Sequence, residues 1–90
     1  SVEVEARSLQ DVRELLEIGV DRIMLDNFSL QDLREAVDLV GGRVPLEASG
    51  GITLDTARDV ALTGVDYVSV GDITHSVKAL DISLTFERPS

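Results

Sequence analysis

Gly19-Val20-Asp21-Arg22-Ile23-Met24-Leu25-Asp26-Asn27-Phe28-Ser29-Leu30 holds the end of one helix, a short strand and the cap of the next helix. Gly19 stops a helical pattern that runs back to Ser8. In that pattern Leu9, Val12 and Leu16 recur on one face, and Ser8 can cap the amino end with Asp11 three residues on. Arg22 to Leu25 is too short for a helix and is followed at once by turn and cap chemistry. Ser29 then opens a second helix to Gly41, with Asp32 as its third-position acid, Leu30, Leu33, Val37 and Val40 as the apolar stripe, and Gly41-Gly42 as the exit.

Outward from this stretch the pattern repeats. A third helix is expected from about Thr53 to Gly64, with Leu54, Ala57 and Ala61 on its buried face and Thr53 as cap. Val2 to Ala6, Val44 to Ala48 and Tyr67 to Val70 read as strands. Strand and helix therefore alternate four times, which predicts an α/β fold with a parallel sheet and right-handed crossovers, in either an open doubly wound sheet or a barrel. Gly64-Val65-Asp66-Tyr67-Val68-Ser69-Val70 echoes Gly19 to Leu25 two units earlier and favours the barrel. The same echo is also a serviceable way to join any helix to any strand.

Ninety residues fall well short of the roughly 250 that a closed eight-stranded α/β barrel needs, so a partial, half-barrel (TIM-like) unit is expected. The unit spans residues 1–84, with 85–90 as a frayed tail. Leu80, Ile82, Leu84 and Phe86 alternate with polar residues, which predicts an additional C-terminal strand with one wet face. A hydrophobic content of 43% with 3% aromatic residues describes an aliphatic core of the kind that fills buried parallel strands.

Seventeen acidic residues against eight basic ones leave a formal charge of −9, which argues against nucleic acid as a partner. The absence of cysteine removes disulfides, thiolate metal sites and a cysteine nucleophile. No secretory leader and no apolar run of membrane-spanning length stand in these residues, and the expectation is a cytoplasmic protein without a membrane partner.

Each strand breaks its aliphatic character on one parity only. Val2 and Val4 share a face while Glu3 and Glu5 share the other. Ile23 and Leu25 oppose Met24 and Asp26; Leu46 and Ala48 oppose Glu47 and Ser49; Val68 and Val70 oppose Tyr67, Ser69 and Gly71. If the aliphatic parity packs under the helices, the interior face gathers Glu3, Glu5, Asp26, Glu47 and Ser49, and cations or sugar hydroxyls must offset their desolvation. An open sheet with a solvated polar face is the plainer alternative. Glu5 and Asp26 end their strands, where ligands of such sheets collect. Two carboxylates there can hold ribose hydroxyls, bind Mg²⁺ through water, or stabilise positive charge at an anomeric carbon. Glu3 and Glu47 are supporting candidates.

Ser49-Gly50-Gly51-Ile52 leads from a strand end into the Thr53 cap, where free N–H groups and a helix terminus favour an anion. Gly71, at the end of the next strand and followed by Asp72, falls where barrels place a second phosphate loop. His75 is the sole histidine, a loop residue that could support such a site.

Leu25-Asp26-Asn27-Phe28, Leu46-Glu47-Ala48-Ser49-Gly50-Gly51-Ile52, Gly64 to Gly71, and Thr74-His75-Ser76 with Ala79-Leu80-Asp81-Ile82-Ser83-Leu84 together resemble quinolinate phosphoribosyltransferases, also called nicotinate-nucleotide pyrophosphorylases (carboxylating). The likeness covers Val2 to about Leu84 and corresponds to the carboxyl-terminal third or so of a family member. It implies transfer of phosphoribosyl from phosphoribosyl pyrophosphate (PRPP) to quinolinate, with Mg²⁺ as cofactor, in NAD biosynthesis. The products would be nicotinate mononucleotide, CO₂ and pyrophosphate. It implies further that Glu5 and Asp26 are ribose-binding carboxylates, and that Ser49, Gly50, Gly51, Val70, Gly71 and Asp72 form the phosphate loops. Asp72 departs from the small residue expected there and sets a negative charge beside a phosphate.

The family's basic side chains for quinolinate and pyrophosphate lie upstream of the matched region. Arg7, Arg13, Arg34 and Arg58 fall on helices or their flanks and read as surface charges. These residues alone are therefore expected to be inactive. A structural alternative is a dissected or engineered half-barrel that self-associates to cover its sheet edges, giving a homo-oligomer. A bare phosphate-binding module is a third reading.

Overall fold

The structure is a computed structural model and describes residues 2–71 and 76–82. Its elements run β1 (Glu3–Ala6), α1 (Leu9–Ile18), β2 (Arg22–Asp26), α2 (Leu30–Val40), β3 (Leu46–Ser49), α3 (Leu54–Ala61), β4 (Tyr67–Ser69) and β5 (Ser76–Lys78). Among the described residues no helix is long and apolar enough to cross a membrane.

Helix ends follow the chemistry of their caps. The Ser8 hydroxyl accepts from Asp11 N–H at 3.1 Å, and Ser29 does the same for Asp32 at 3.1 Å. Gly19 and Gly41 close α1 and α2 in the left-handed conformation at φ 86° and 58°. α3 departs from expectation: its last helical residue is Ala61 rather than one next to Gly64. The N–H groups of Thr63 and Gly64 reach back three residues to Val60 and Ala61, so the chain leaves the helix through a tighter turn.

The strands lie in the order β1-β2-β3-β4-β5, the first four parallel and β5 antiparallel to β4. A doubly wound sheet reverses its strand order at a switch point. Here the order never reverses, so every right-handed crossover advances in one direction and lays its helix on the same face. This is the winding of a partial α/β barrel. Burial agrees: Ala6, Ile23, Leu25, Leu46, Ala48 and Val68, all of one parity, are buried, and they meet Val12, Leu33, Ala36, Val40, Ala57 and Val60 from the helices.

The Gly-Val-Asp echo has one physical role in both copies. Val20 and Val65 are each buried in the core. Asp21 donates its N–H to Val2 O at 2.8 Å and accepts the Val2 N–H on its carboxylate. Asp66 donates to Leu46 O at 2.9 Å and accepts Leu46 N–H at 2.8 Å. Each aspartate thus clamps the neighbouring strand at its entrance and satisfies two main-chain groups the ladder leaves open.

The expected strand through Leu80 and Ile82 is corrected by the structure, in which 79–82 are helical. Ala79 and Ile82, three apart, are buried, while Leu80 is 68% exposed. A period of two would have buried Leu80 and Ile82 together; the core selects the helical spacing. The extra strand present is β5, a shorter and earlier segment. Leu84, Phe86 and the tail at 85–90 lie outside the described residues.

Replacing Asp66 with alanine strands the N–H of the buried Leu46 and should cost about 1–3 kcal/mol in urea denaturation. Asp21→Ala, whose partner Val2 is exposed, should cost less; equal or negligible losses at both sites would remove the clamp's energetic role.

Candidate functional site

The face of the sheet away from the helices carries the polar parity. Register aligns Glu3 with Arg22, Glu5 with Met24 and Glu47, and Asp26 with Ser49. Two layers of charge result, one inside the sheet and one at its carboxyl end.

In the inner layer Glu47, 3% exposed, is surrounded by donors. Arg22 Nη1 lies 3.2 Å from its Oε1, and the hydroxyls of Ser69 and Ser76 donate to its Oε2 at 2.7 and 2.6 Å. The same Nη1 lies 3.4 Å from Glu3 Oε2, and the guanidinium sits over the Tyr67 ring, 3.9 Å from its centroid. The cation that the acidic interior demanded is thus Arg22, which the sequence reading passed over. Parity could have found it, because Arg22 shares its face with Met24 and Asp26. Glu3, placed deeper than Glu5, serves this layer rather than the strand ends.

At the carboxyl end, Glu5 and Asp26 converge on Arg7. Its Nε and Nη2 each lie 3.1 Å from Glu5 Oε1, and Nε lies 3.9 Å from Asp26 Oδ2. Arg7 is indeed solvated, its side chain 75% exposed, so its pairing is weak and readily exchanged. Its second role, as the cation between two strand-end carboxylates, was not visible in a residue read as helix flank.

The double-glycine turn packs against the same carboxylate. A Cβ on Gly50 would fall 2.9 Å from Asn27 N and 3.0 Å from Asp26 Oδ1, and its φ is 92°. Only glycine lets the turn come this close. Asn27, itself left-handed at φ 61°, donates its N–H to Ser49 O at 2.8 Å and holds the two strand ends together. Gly51, at φ 67°, has open space where a side chain would stand. Gly71 is equally open, and its N–H donates to Ile52 O at 2.7 Å, which ties the turn after β4 to the turn after β3.

The structure therefore brings together Glu5, Asp26, Ser49, Gly50, Gly51 and Gly71. Val70 is buried in the same core cluster as Ile52 of the double-glycine turn. Asp72 and His75 lie outside the described residues. Among the described residues no group of three or more acidic or histidine side chains is placed to hold a metal. The Glu5 and Asp26 pair nevertheless suits a cation such as Mg²⁺, which keeps most of its water and takes one or two carboxylates.

Known proteins resemble this chain in sequence and in fold. The C-terminal domain of quinolinate phosphoribosyl transferase matches residues 1–85. The chloroplastic nicotinate-nucleotide pyrophosphorylase (carboxylating) of Oryza sativa subsp. japonica is 46% identical over 101 aligned residues, covering 96% of this chain and 27% of the rice protein. A probable enzyme of the same name from Bacillus subtilis is 43% identical over 84 residues, covering 93% of this chain and 29% of that protein. The crystal structure of nicotinate-nucleotide pyrophosphorylase from Ehrlichia chaffeensis superposes with a TM-score of 0.75 at 44% identity, over 81% of this chain and 27% of that one. The chain spans less than a third of the length of these relatives, and with the match to residues 1–85 it belongs to the quinolinate phosphoribosyl transferase family through its C-terminal domain.

Proposed function

We infer that these residues are the phosphoribosyl-binding part of an enzyme that transfers phosphoribosyl from PRPP to quinolinate, giving nicotinate mononucleotide, CO₂ and pyrophosphate in NAD biosynthesis. The observation that carries this reading is the seating of one guanidinium between Glu5 and Asp26, 3.1 Å from one and 3.9 Å from the other. A carboxylate pair that holds a cation at a strand end beside two open glycine turns is suited to a sugar whose anomeric carbon becomes positive while its phosphate remains negative.

In this reading the main chain of Ser49, Gly50 and Gly51, with that of Val70, Gly71 and Asp72, receives the 5-phosphate. Among the described residues, Gly50, Gly51 and Ile52 donate their N–H groups to no other protein group, and Gly51 and Gly71 leave the approach clear. Glu5 and Asp26 accept ribose hydroxyls and stabilise the charge that grows as the bond to pyrophosphate lengthens. They are also the residues that would hold Mg²⁺ through water; when bound, Mg²⁺ offsets the charge of the pyrophosphate group. Arg7 yields its place to these ligands, since an exposed pair of this kind contributes at most about 1 kcal/mol.

Quinolinate's two carboxylates and the pyrophosphate need several cations, and among the described residues this face adds only the exposed Arg7 and Lys78 to Arg22. Arg22 is committed to Glu3 and Glu47, and Arg43 donates to Val40 O and Leu39 O. The ninety residues are accordingly one part of a larger barrel, and the complete assembly carries the activity. One observation favours self-association of this part alone: among the described residues the outer edge of β1 pairs with nothing, and Val2 and Ile18 beside it are exposed.

In the complete enzyme, Glu5→Gln and Asp26→Asn should each lower kcat about 100-fold. Steady-state formation of nicotinate mononucleotide checks this, and wild-type turnover in both variants would end the assignment. The ninety residues alone should form no nicotinate mononucleotide from quinolinate and PRPP; product dependent on both substrates, seen by chromatography, would contradict the division of labour.

A further inference from the structure

We propose that Glu47 is a positioning residue that holds the Gly71 turn in register with the double-glycine turn, and so sets the affinity for the sugar's phosphate. The proposal rests on the phosphate site described above. Glu47 is too buried to touch a ligand there, and it lies two residues before Ser49 in β3. Its Oε2 receives the hydroxyl hydrogens of Ser69, the last residue of β4, and Ser76, the first of β5, at 2.7 and 2.6 Å. One carboxylate oxygen thus fastens the chain on both sides of Gly71.

These contacts have the length of charge-assisted O–H···O⁻ bonds, the stronger class of hydrogen bond. Each serine has one hydrogen to give. With both directed at Glu47, the 3.2 Å approach between the two hydroxyls is a contact within the cluster, and neither hydroxyl remains to donate to a phosphate. Ser69 and Ser76 therefore act on the site through the backbone they anchor. The second tie between the turns, Gly71 N–H to Ile52 O at 2.7 Å, is main chain and survives any side-chain change.

A purely structural role is the poorer fit. A buried, paired carboxylate gains little stability over an apolar side chain of similar volume, and barrel interiors are ordinarily filled with Val, Ile and Leu. What Glu47 supplies that an apolar residue does not is a fixed separation between β3 and the two serines flanking the Gly71 turn. Glutamine cannot replace it: with its carbonyl toward the serines its NH₂ faces Arg22, and with its carbonyl toward Arg22 the serines lose their acceptor.

Titration of the complete enzyme with ribose 5-phosphate, followed by ³¹P NMR or calorimetry, tests the proposal. Ser76→Ala and Glu47→Gln should each raise the Kd about five-fold, with KM for PRPP rising in step and KM for quinolinate unchanged. Ser76→Thr, which keeps the hydroxyl, should restore the wild-type Kd. Ser76→Ala is the decisive variant because Ser76 is exposed in a short edge strand and its loss leaves the core intact. Unchanged Kd in Ser76→Ala, with wild-type binding intact, overturns the role of Glu47 and leaves the proposed function standing. Failure of the wild-type enzyme to bind ribose 5-phosphate overturns both.

Discussion

A row of acids on the inner face of a parallel sheet has to be neutralised, and the rest of the molecule is arranged around how this is done. Glu3 of β1, Arg22 of β2, Glu47 of β3, Ser69 of β4 and Ser76 of β5 form one continuous polar chain. Every strand contributes one member. The guanidinium is the pivot, because it serves two carboxylates and is stacked on Tyr67 as well. Without it Glu47 would be a buried charge facing only hydroxyls, a state that typically costs several kcal/mol. Among the described residues no buried side-chain polar atom lacks a partner, so the network closes.

With both inner carboxylates held by Arg22, the outer pair is left to chemistry. Among the described residues, Glu5 and Asp26 have only the exposed Arg7 between them, and their charge faces the rim. Pairing rather than depth separates them, since Glu5 is level with Glu47 across Met24: Glu3 and Glu47 are tied up in hydrogen bonds inside the sheet, while Glu5 and Asp26 face the rim. Backbone geometry completes the rim, since glycine at position 50 admits the turn to within contact of Asp26, and the Gly71 bond to Ile52 joins the two loops.

Much of this was legible beforehand, and the exceptions have physical reasons. Caps at Ser8 and Ser29, stops at Gly19 and Gly41, and the parity split of all four parallel strands could be read because each depends on neighbours in sequence. Sequential winding could not be read from local pattern, since alternation of strand and helix serves open sheets and barrels alike. At 79–82 a two-fold alternation and a helical turn share the same few residues, and burial of Ala79 with Ile82 decided between them. Glu5, Asp26 and the glycines could be placed at one end by counting along strands. Arg22 was hidden by being the first residue of its strand, and the link from Glu47 to Ser76 by a separation of 29 positions that no local rule spans.

The entrance aspartates have an evolutionary corollary. Among the described residues, Asp21 and Asp66 grip main-chain atoms at the entrance of the strand beside them, at Val2 and Leu46, and none of its side chains. Each β-α module therefore carries its own alignment key and asks nothing of its neighbour beyond an ordinary peptide group. A gene segment copied or recombined next to another would arrive already able to set its register, without waiting for compensating substitutions in the adjoining module. That independence makes a sheet of this winding easy to lengthen by duplication.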